Sequence, residues 1–153
     1  MASFIAPLAI VFATLPMNQG QALAMSPQDD VNLVIQTNNA EDIYNIAIKY
    51  LGTPYCRGGE SPRCFDCSGF TQYVYGKKGI DLARTTYGQL DQVREITQEE
   101  AVKGDLVFFL SSGGYVYHVG IYAGDGTVLH SPKPGRSVKI ESIWSSRVSY
   151  GRL

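Results

Sequence analysis

The sequence predicts an α+β domain on three observations: apolar residues recur at helical spacing in the first half, β-rich runs alternate with glycine turns from Asp105 onward, and 153 residues suffice for one core. Helices gathered before strands favour this class over alternating β and α units. Of all residues 44% are apolar, and 13 basic side chains oppose 14 acidic ones, a net charge of −1 that offers no field to a polyanion. Nucleic acid is not an expected partner.

Residues 1–24 carry no charged side chain, hold an apolar stretch from Phe4 to Leu15 and close on Ala22-Leu23-Ala24, a small-x-small cleavage pattern. They are expected to be a secretory signal peptide, although only the amino terminus supplies the positive charge usual before the apolar run. The stretch falls short of the roughly 20 residues a spanning helix needs, and Pro7 and Pro16 interrupt or end it, so no stable membrane span is expected. Residues 25–39 form a polar leader, and 40–153 the folded domain.

The leader opens with Ser26-Pro27, suited to an N-cap followed by proline at the first helical position, and is expected to be a short helix or a loose segment. From Ala40 the apolar residues Ile43, Ile46, Ala47, Tyr50 and Leu51 predict a helix, with Asn39 as its cap and Gly52-Thr53-Pro54 as its stop. Tyr55 to Phe65 is a loop by composition. Asp66 is placed to cap the next helix, which runs through Phe70, Tyr73, Val74 and Lys77 to Gly79. Thr86 to Gln89 and Thr97 to Glu100 match the capping box and predict two further short helices. Strands follow at Asp105–Leu110, Tyr115–Ala123, Thr127–Ser131, Ser137–Ile143 and Val148–Arg152, arranged as an antiparallel meander.

Three cysteines are an odd number, so one thiol stays free or pairs elsewhere. Cys67 is the candidate, because a helix N-terminus offers partial positive charge and unpaired N–H groups that favour a thiolate and should lower its pKa. The chain has two histidines, both on predicted strands. If Gly124-Asp125-Gly126 is a three-residue hairpin loop, Ala123 pairs with Thr127 and Gly120 faces His130. His118 and His130 are then diagonal neighbours on one face, about 7–8 Å apart. A two-residue Asp125-Gly126 turn would place them on opposite faces. With both on one face, Cys67 is a nucleophile, His118 its base and His130 the group that orients the base. The Cys67 N–H and Tyr55 are candidates for stabilising an oxyanion.

The string GTPYCRGGESPRCFDCSGFTQYVYGKKGIDLARTTYGQ, followed by KGDLVFF, YHVGIYAGDG and LHSP, resembles the NlpC-type family of bacterial cell-wall cysteine peptidases from Ala40 to the C-terminus. The resemblance implies a reduced papain-like fold and hydrolysis of peptidoglycan stem peptides at the γ-D-glutamyl to diamino-acid bond, diaminopimelate above all, through an acyl-thioester. It matches Cys67, His118 and His130 to a triad and Tyr55 to a residue lining the nucleophile. Asp66 and Ser68 match stem-peptide contacts, while Arg84 and Thr86 fall in a segment shaping the same groove. Asp66 and Thr86 also read as plain capping residues. Three departures stand out: Ala83 replaces a common proline, Cys56 and Cys64 occupy variable positions and could close a disulfide that export permits, and no SH3-type or LysM-type wall-binding module is expected from these residues.

No cofactor or metal and a monomeric state are expected. An amidase or acyltransferase would share the same first step, and a non-catalytic wall-binding module would be marked by loss of one triad residue. Cys64-Phe65-Asp66-Cys67 is a C-x-x-C, but the preceding loop does not suit a thioredoxin-type site, and the spacing suits no common zinc site.

Overall fold

A computed structural model describes residues 26–153, the side chains of Thr37 and Asn38 excepted. The expected signal peptide lies outside the described residues. Helix α1 spans Pro27–Ala47. Ser26 caps it through a reciprocal pair, Asp29 N–H donating to Ser26 Oγ at 3.3 Å and Ser26 N–H to the Asp29 carboxylate at 3.0 Å. The leader and the predicted helix are thus one element, and Asn39 is not a cap. No proline or glycine interrupts Gln28 to Ala47, so a helix nucleated at Ser26 has nothing to stop it. Ala40, Ile43 and Ala47 bury its second half, and the first half is exposed. A 3₁₀ turn at Ile48–Tyr50 and Gly52 at φ +85° end it.

The predicted loop contains a small hairpin, β1 (Glu60–Ser61) against β2 (Cys64–Phe65), closed by a Cys56–Cys64 disulfide. Helix α2 (Cys67–Gly76) follows with Asp66 as its cap. Helix α3 (Thr86–Gln92) starts one residue earlier than the capping box implies: Thr85 accepts from Gly88 N–H at 3.1 Å, and Thr86 is the first helical residue. Gln89 is freed from capping and is fully buried. Its side chain accepts from Thr71 Oγ1 at 2.7 Å and donates to the carbonyls of Ser68 at 2.9 Å and Ala83 at 2.8 Å. Thr97 and Glu100 do form their reciprocal bonds, yet only a turn results, because the chain enters a strand a few residues later.

Six strands make the main antiparallel sheet, in the order β3-β8-β4-β5-β6-β7. They are β3 (Arg94–Ile96), β4 (Leu106–Leu110), β5 (Val116–Gly124), β6 (Thr127–His130), β7 (Lys139–Ser142) and β8 (Val148–Arg152). Only β4 to β7 form a meander; β8 returns to pair with both β4 and the unpredicted β3. A buried ion pair, Arg152 to Asp105 at 2.7 Å, fastens the returning strand.

Alternation on the strands divides the core. Leu106, Phe108, Val119 and Ile121 pack with Phe65, Phe70, Val74 and Ile43 from the helices, while Val107, Phe109, Tyr122, Val128 and Tyr150 cluster on the opposite side. Helix α2 is seated on the hairpin loop by glycine. Asp66 N–H donates to the Gly59 carbonyl at 2.9 Å, and a methyl at Gly69 would collide with that carbonyl oxygen. We expect Gly69→Ala to destabilise the protein by about 1–3 kcal/mol, read as a lower urea midpoint with unchanged slope, whereas Gly76→Ala, which meets open space, should not.

Candidate active site

Cys67 is the first residue of α2, half-buried and unpaired, while Cys64 is bonded to Cys56. The C-x-x-C pair is therefore not formed. The sheet makes room for the thiol by an interruption: β6 ends at His130, its last partnered residue against β5 is Leu129 opposite Ile121, and the ladder stops beside Val119. The Val119 amide, with the first-turn amides of Ser68 and Cys67 itself, lies against the Cys67 sulfur and pulls its pKa down. That Val119 amide is the peptide unit joining it to His118, so the thiol lies against the backbone of the candidate base. Beyond His130 the chain is drawn off the sheet by Ser131, whose hydroxyl donates to the Phe65 carbonyl at 2.8 Å.

The two histidines meet on one face, but not through the expected loop. The turn is the two-residue Asp125-Gly126, with φ of 49° and 68°, closed by Gly124 opposite Thr127. A bulge between Tyr122 and Gly124 adds one residue to β5 and reverses the parity the turn would have imposed. His118 Nε2 and His130 Nδ1 lie 2.7 Å apart. Gly120 sits between them, where a Cβ would press on Val128 and on His130 Cβ.

His130 Nε2 in turn lies 2.8 Å from Glu141 on β7, which also pairs with Lys139. Lys139 is opposite His130 in the ladder, so Glu141 occupies the next position on the same face. A carboxylate can only accept, which places the His130 proton on Nε2 and leaves Nδ1 as an acceptor. His118 then donates from Nε2, and its Nδ1 is an unprotonated lone pair. Since no buried side-chain nitrogen or oxygen among the described residues lacks a partner, this unbonded Nδ1 opens to the site. Trp144 covers the pair: it stacks on Phe109 at 4.0 Å between centroids and lies 5.7 Å from the His118 ring and 5.3 Å from His130.

Burial dominates the titration. It pushes His118 down to about 3, aided by repulsion from His130, and lowers His130 against the opposing pull of Glu141. Burial tends to raise the Glu141 carboxyl, but Lys139 and His130 outweigh it and hold it below the usual range. Burial and the adjacent Asp66 carboxylate raise the Cys67 thiol, against the lowering by backbone amides. This reverses the expected direction, because the residue that caps the helix also places a full negative charge beside the sulfur. Thiol and imidazole are both neutral at pH 7.

Asp66 is held by four residues. Its carboxylate accepts from Gly69 N–H at 2.7 Å, Gly58 N–H at 2.9 Å and Ser68 Oγ at 3.4 Å, and from Arg84 through two nitrogens at 3.0 and 2.7 Å. Arg84 also bonds Ser68 Oγ at 3.0 Å and reaches Glu60 at 3.0 Å. The structure thus brings Asp66, Ser68 and Arg84 together on the α2 side of Cys67. Thr86 is half-buried and outside this cluster of bonds. Tyr55 lies near Cys67: burial raises its hydroxyl pKa, and Cys67 and Asp66 add to the rise. Glu141 and Trp144 escaped sequence analysis. Glu141 was legible only through strand parity with His130, and Trp144 lies outside any strand with no local pattern to mark it.

A helix presenting a cysteine at its N-terminus to a histidine-bearing antiparallel sheet defines a papain-like α+β domain. The NlpC/P60 family matches residues 52–150, and the chain belongs to that family. It is similar to Protein P54 of Enterococcus faecium, 45% identical over 106 residues that cover 69% of this chain and 20% of that protein. It is also similar to the γ-D-glutamyl-L-lysine dipeptidyl-peptidase of Bacillus cereus, 42% identical over 108 residues, covering 69% and 32%. The chain therefore spans only a minor part of these relatives. The crystal structure of the NlpC/p60 domain of peptidoglycan hydrolase SagA superposes with a TM-score of 0.67 at 42% identity, covering 74% of this chain and 97% of that one.

Replacing Glu141 by Gln keeps the side chain's size but removes the charge that sets both tautomers. We expect kcat to fall on the order of tenfold with KM little changed. Because Glu141 raises both histidine pKa values, the acid limb of the pH profile should move to lower pH in the variant, and an unmoved limb would refute the positioning role.

Proposed function

We propose that this chain is a thiol-dependent peptidoglycan endopeptidase, exported after removal of residues 1–24, that cuts the γ-D-glutamyl to diamino-acid bond of stem peptides. The observation that carries this reading is the Cys67 thiol lodged in the ladder gap at Val119, one peptide unit from a histidine whose free nitrogen is deprotonated. The family membership and the names of the relatives support the substrate class.

In this mechanism Cys67 Sγ attacks the scissile carbonyl while its proton passes to His118 Nδ1. Starting from two neutral groups, attack and proton transfer are coupled rather than preceded by a standing ion pair. The negative charge on the carbonyl oxygen meets the first-turn N–H groups of α2, with the Tyr55 hydroxyl beside them. The carbon–nitrogen bond breaks as His118 returns the proton to the leaving amine, and a thioester remains. Water then attacks the thioester, giving its proton to His118, and the thiol is restored as the γ-carboxylic acid leaves. His130 and Glu141 stabilise the transient imidazolium through their aligned bonds. Asp66, Ser68 and Arg84 form the polar wall that meets the acyl half of the stem, and Thr86 borders it.

Cys67→Ala should abolish turnover while leaving the thermal midpoint within a few degrees. The assay is mass spectrometry of products from a defined muropeptide carrying L-Ala-γ-D-Glu-diaminopimelate. Cleavage after D-Glu only with Cys67 present is the expected result; release of the intact stem from the sugar would make the enzyme an amidase instead. Thiol titration of the unreduced, unfolded protein should find one free cysteine. Three would refute the Cys56–Cys64 bond in solution, and none would refute Cys67 as a resting nucleophile.

A further inference from the structure

A cleft of about 790 Å³ opens over β6, β7 and the turn between them, a size that suits a small molecule. His118 and His130 enter its lining from the side of the bond that joins their rings, and Cys67 is not part of it. A molecule seated there leaves the thiol and His118 Nδ1 uncovered. The proposed mechanism makes no use of this space.

Two kinds of surface meet in the cleft. Tyr117 and Trp144 present rings that are 47% and 49% exposed. One face of Trp144 is taken up by stacking on Phe109, so its exposure belongs to the remaining face and edge. Lys133 and Arg136 bring positive charge, and neither pairs with a carboxylate among the described residues. The carboxylate in the lining, Glu141, is committed to His130 and Lys139. In a chain whose net charge is −1, two unopposed cations in one concavity reverse the local sign.

These cations are carried on a fixed turn. Arg136 N–H bonds the Lys133 carbonyl at 3.1 Å, the Arg136 carbonyl accepts from Tyr55 N–H at 2.8 Å, and Ser137 bridges Pro54. Backbone bonds hold the turn, which leaves the charged heads available. The hydroxyls of Tyr117 and Ser142, also in the lining, bond to no other group among the described residues.

The chemistry of the lining selects an occupant. Two cations on one turn, one of them a guanidinium with forked donors, match a phosphate better than a single carboxylate. Half-exposed tyrosine and tryptophan rings accept the apolar face of another ring, and the free hydroxyls favour a ring bearing hydroxyls of its own over a bare aryl group. We propose that the cleft is a binding site for a phosphate-bearing sugar, held at its phosphate by Lys133 and Arg136 and at its ring by Tyr117 and Trp144. It gives the protein a second hold on a phosphorylated glycan while the reacting groups stay free.

Trp144 is the chain's one tryptophan, so its emission reports entry into the cleft. The probe is N-acetylglucosamine 6-phosphate, titrated beside N-acetylglucosamine and inorganic phosphate into the wild type, Lys133→Gln/Arg136→Gln and Tyr117→Ala, with calorimetry on the same samples and circular dichroism to check folding. The sugar phosphate should saturate the signal at a concentration at least about tenfold lower than either the sugar or phosphate alone, and the double variant should lose that advantage. Binding should weaken as salt is raised and in Tyr117→Ala. Inorganic phosphate binding equally well would reduce the cleft to a plain anion site, and the unphosphorylated sugar binding equally well would remove the role of the cations. Either result overturns the proposal, as does an affinity unchanged in the double variant or a titration with neither heat nor emission change. Iodoacetamide should alkylate Cys67 at an unchanged rate with the cleft filled, whereas protection of the thiol would overturn the separation of the two sites. None of these readouts needs turnover, so failure here leaves the endopeptidase reading standing.

Discussion

The Asp66 carboxylate is the point on which the site is assembled. It terminates the hairpin loop by accepting from Gly58, starts α2 by accepting from Gly69, and draws Arg84 across from the segment before α3 with a two-pronged bond. Charge-assisted bonds of this kind are individually worth more than neutral ones, and here they share one acceptor group that is itself half-buried. Three segments distant in sequence thereby take fixed positions around Cys67. Buried Gln89 repeats the arrangement one layer deeper, tying α2 to α3 and to the Ala83 carbonyl.

That assembly has an electrostatic consequence for the neighbouring residue. A helix N-terminus contributes roughly half a positive charge, whereas an ionised carboxylate contributes a whole negative one at close range. Burial of the thiol adds to the carboxylate's effect, and the net shift is upward. In the proposed mechanism, therefore, reactivity is not stored in a preformed thiolate. It rests instead with His118, which burial keeps unprotonated and which Glu141, acting through His130, holds in the tautomer that can receive a proton. Capping and activation are usually credited to the same helix end; in this protein they oppose each other, and the sheet side resolves the conflict.

Much of this was legible in the sequence because it rests on short-range rules. The Asp66 cap, the helix that follows it and the five main strands follow from local periodicity and turn residues, although the helix ends at Gly76 and the expected Gly79 closes the turn after it. What failed did so for nonlocal reasons. Ser26 nucleates a helix that runs through Asn39 because nothing stops it, and Thr85 rather than Thr86 caps α3 because buried Gln89 is needed elsewhere. The histidine pair shows how two local errors can cancel. Local rules give a loop one residue too long and no bulge, yet they give the right parity, because the two differences offset each other. Strand β3 is three residues long and exists by virtue of β8, whose paired residues run from Tyr150 opposite Ile96 to Arg152 opposite Arg94 and which is fastened by Arg152 to Asp105, so no local pattern could announce it.

The early end of β6 explains why the two halves of the site can meet at all. A continuous ladder would have spent the Val119 N–H on a strand partner, and the thiol would have faced a closed sheet. Ending the strand at His130 costs that ladder bond and leaves the amide to act on the sulfur instead. The same interruption lets the chain depart through Ser131 into the turn bearing Lys133 and Arg136. One break in a sheet thus creates the approach for the Cys67 thiol and sets it beside the backbone of His118. The cysteine is positioned by a helix cap and the histidine pair by a strand end, and the peptide unit between His118 and Val119 is where the two meet.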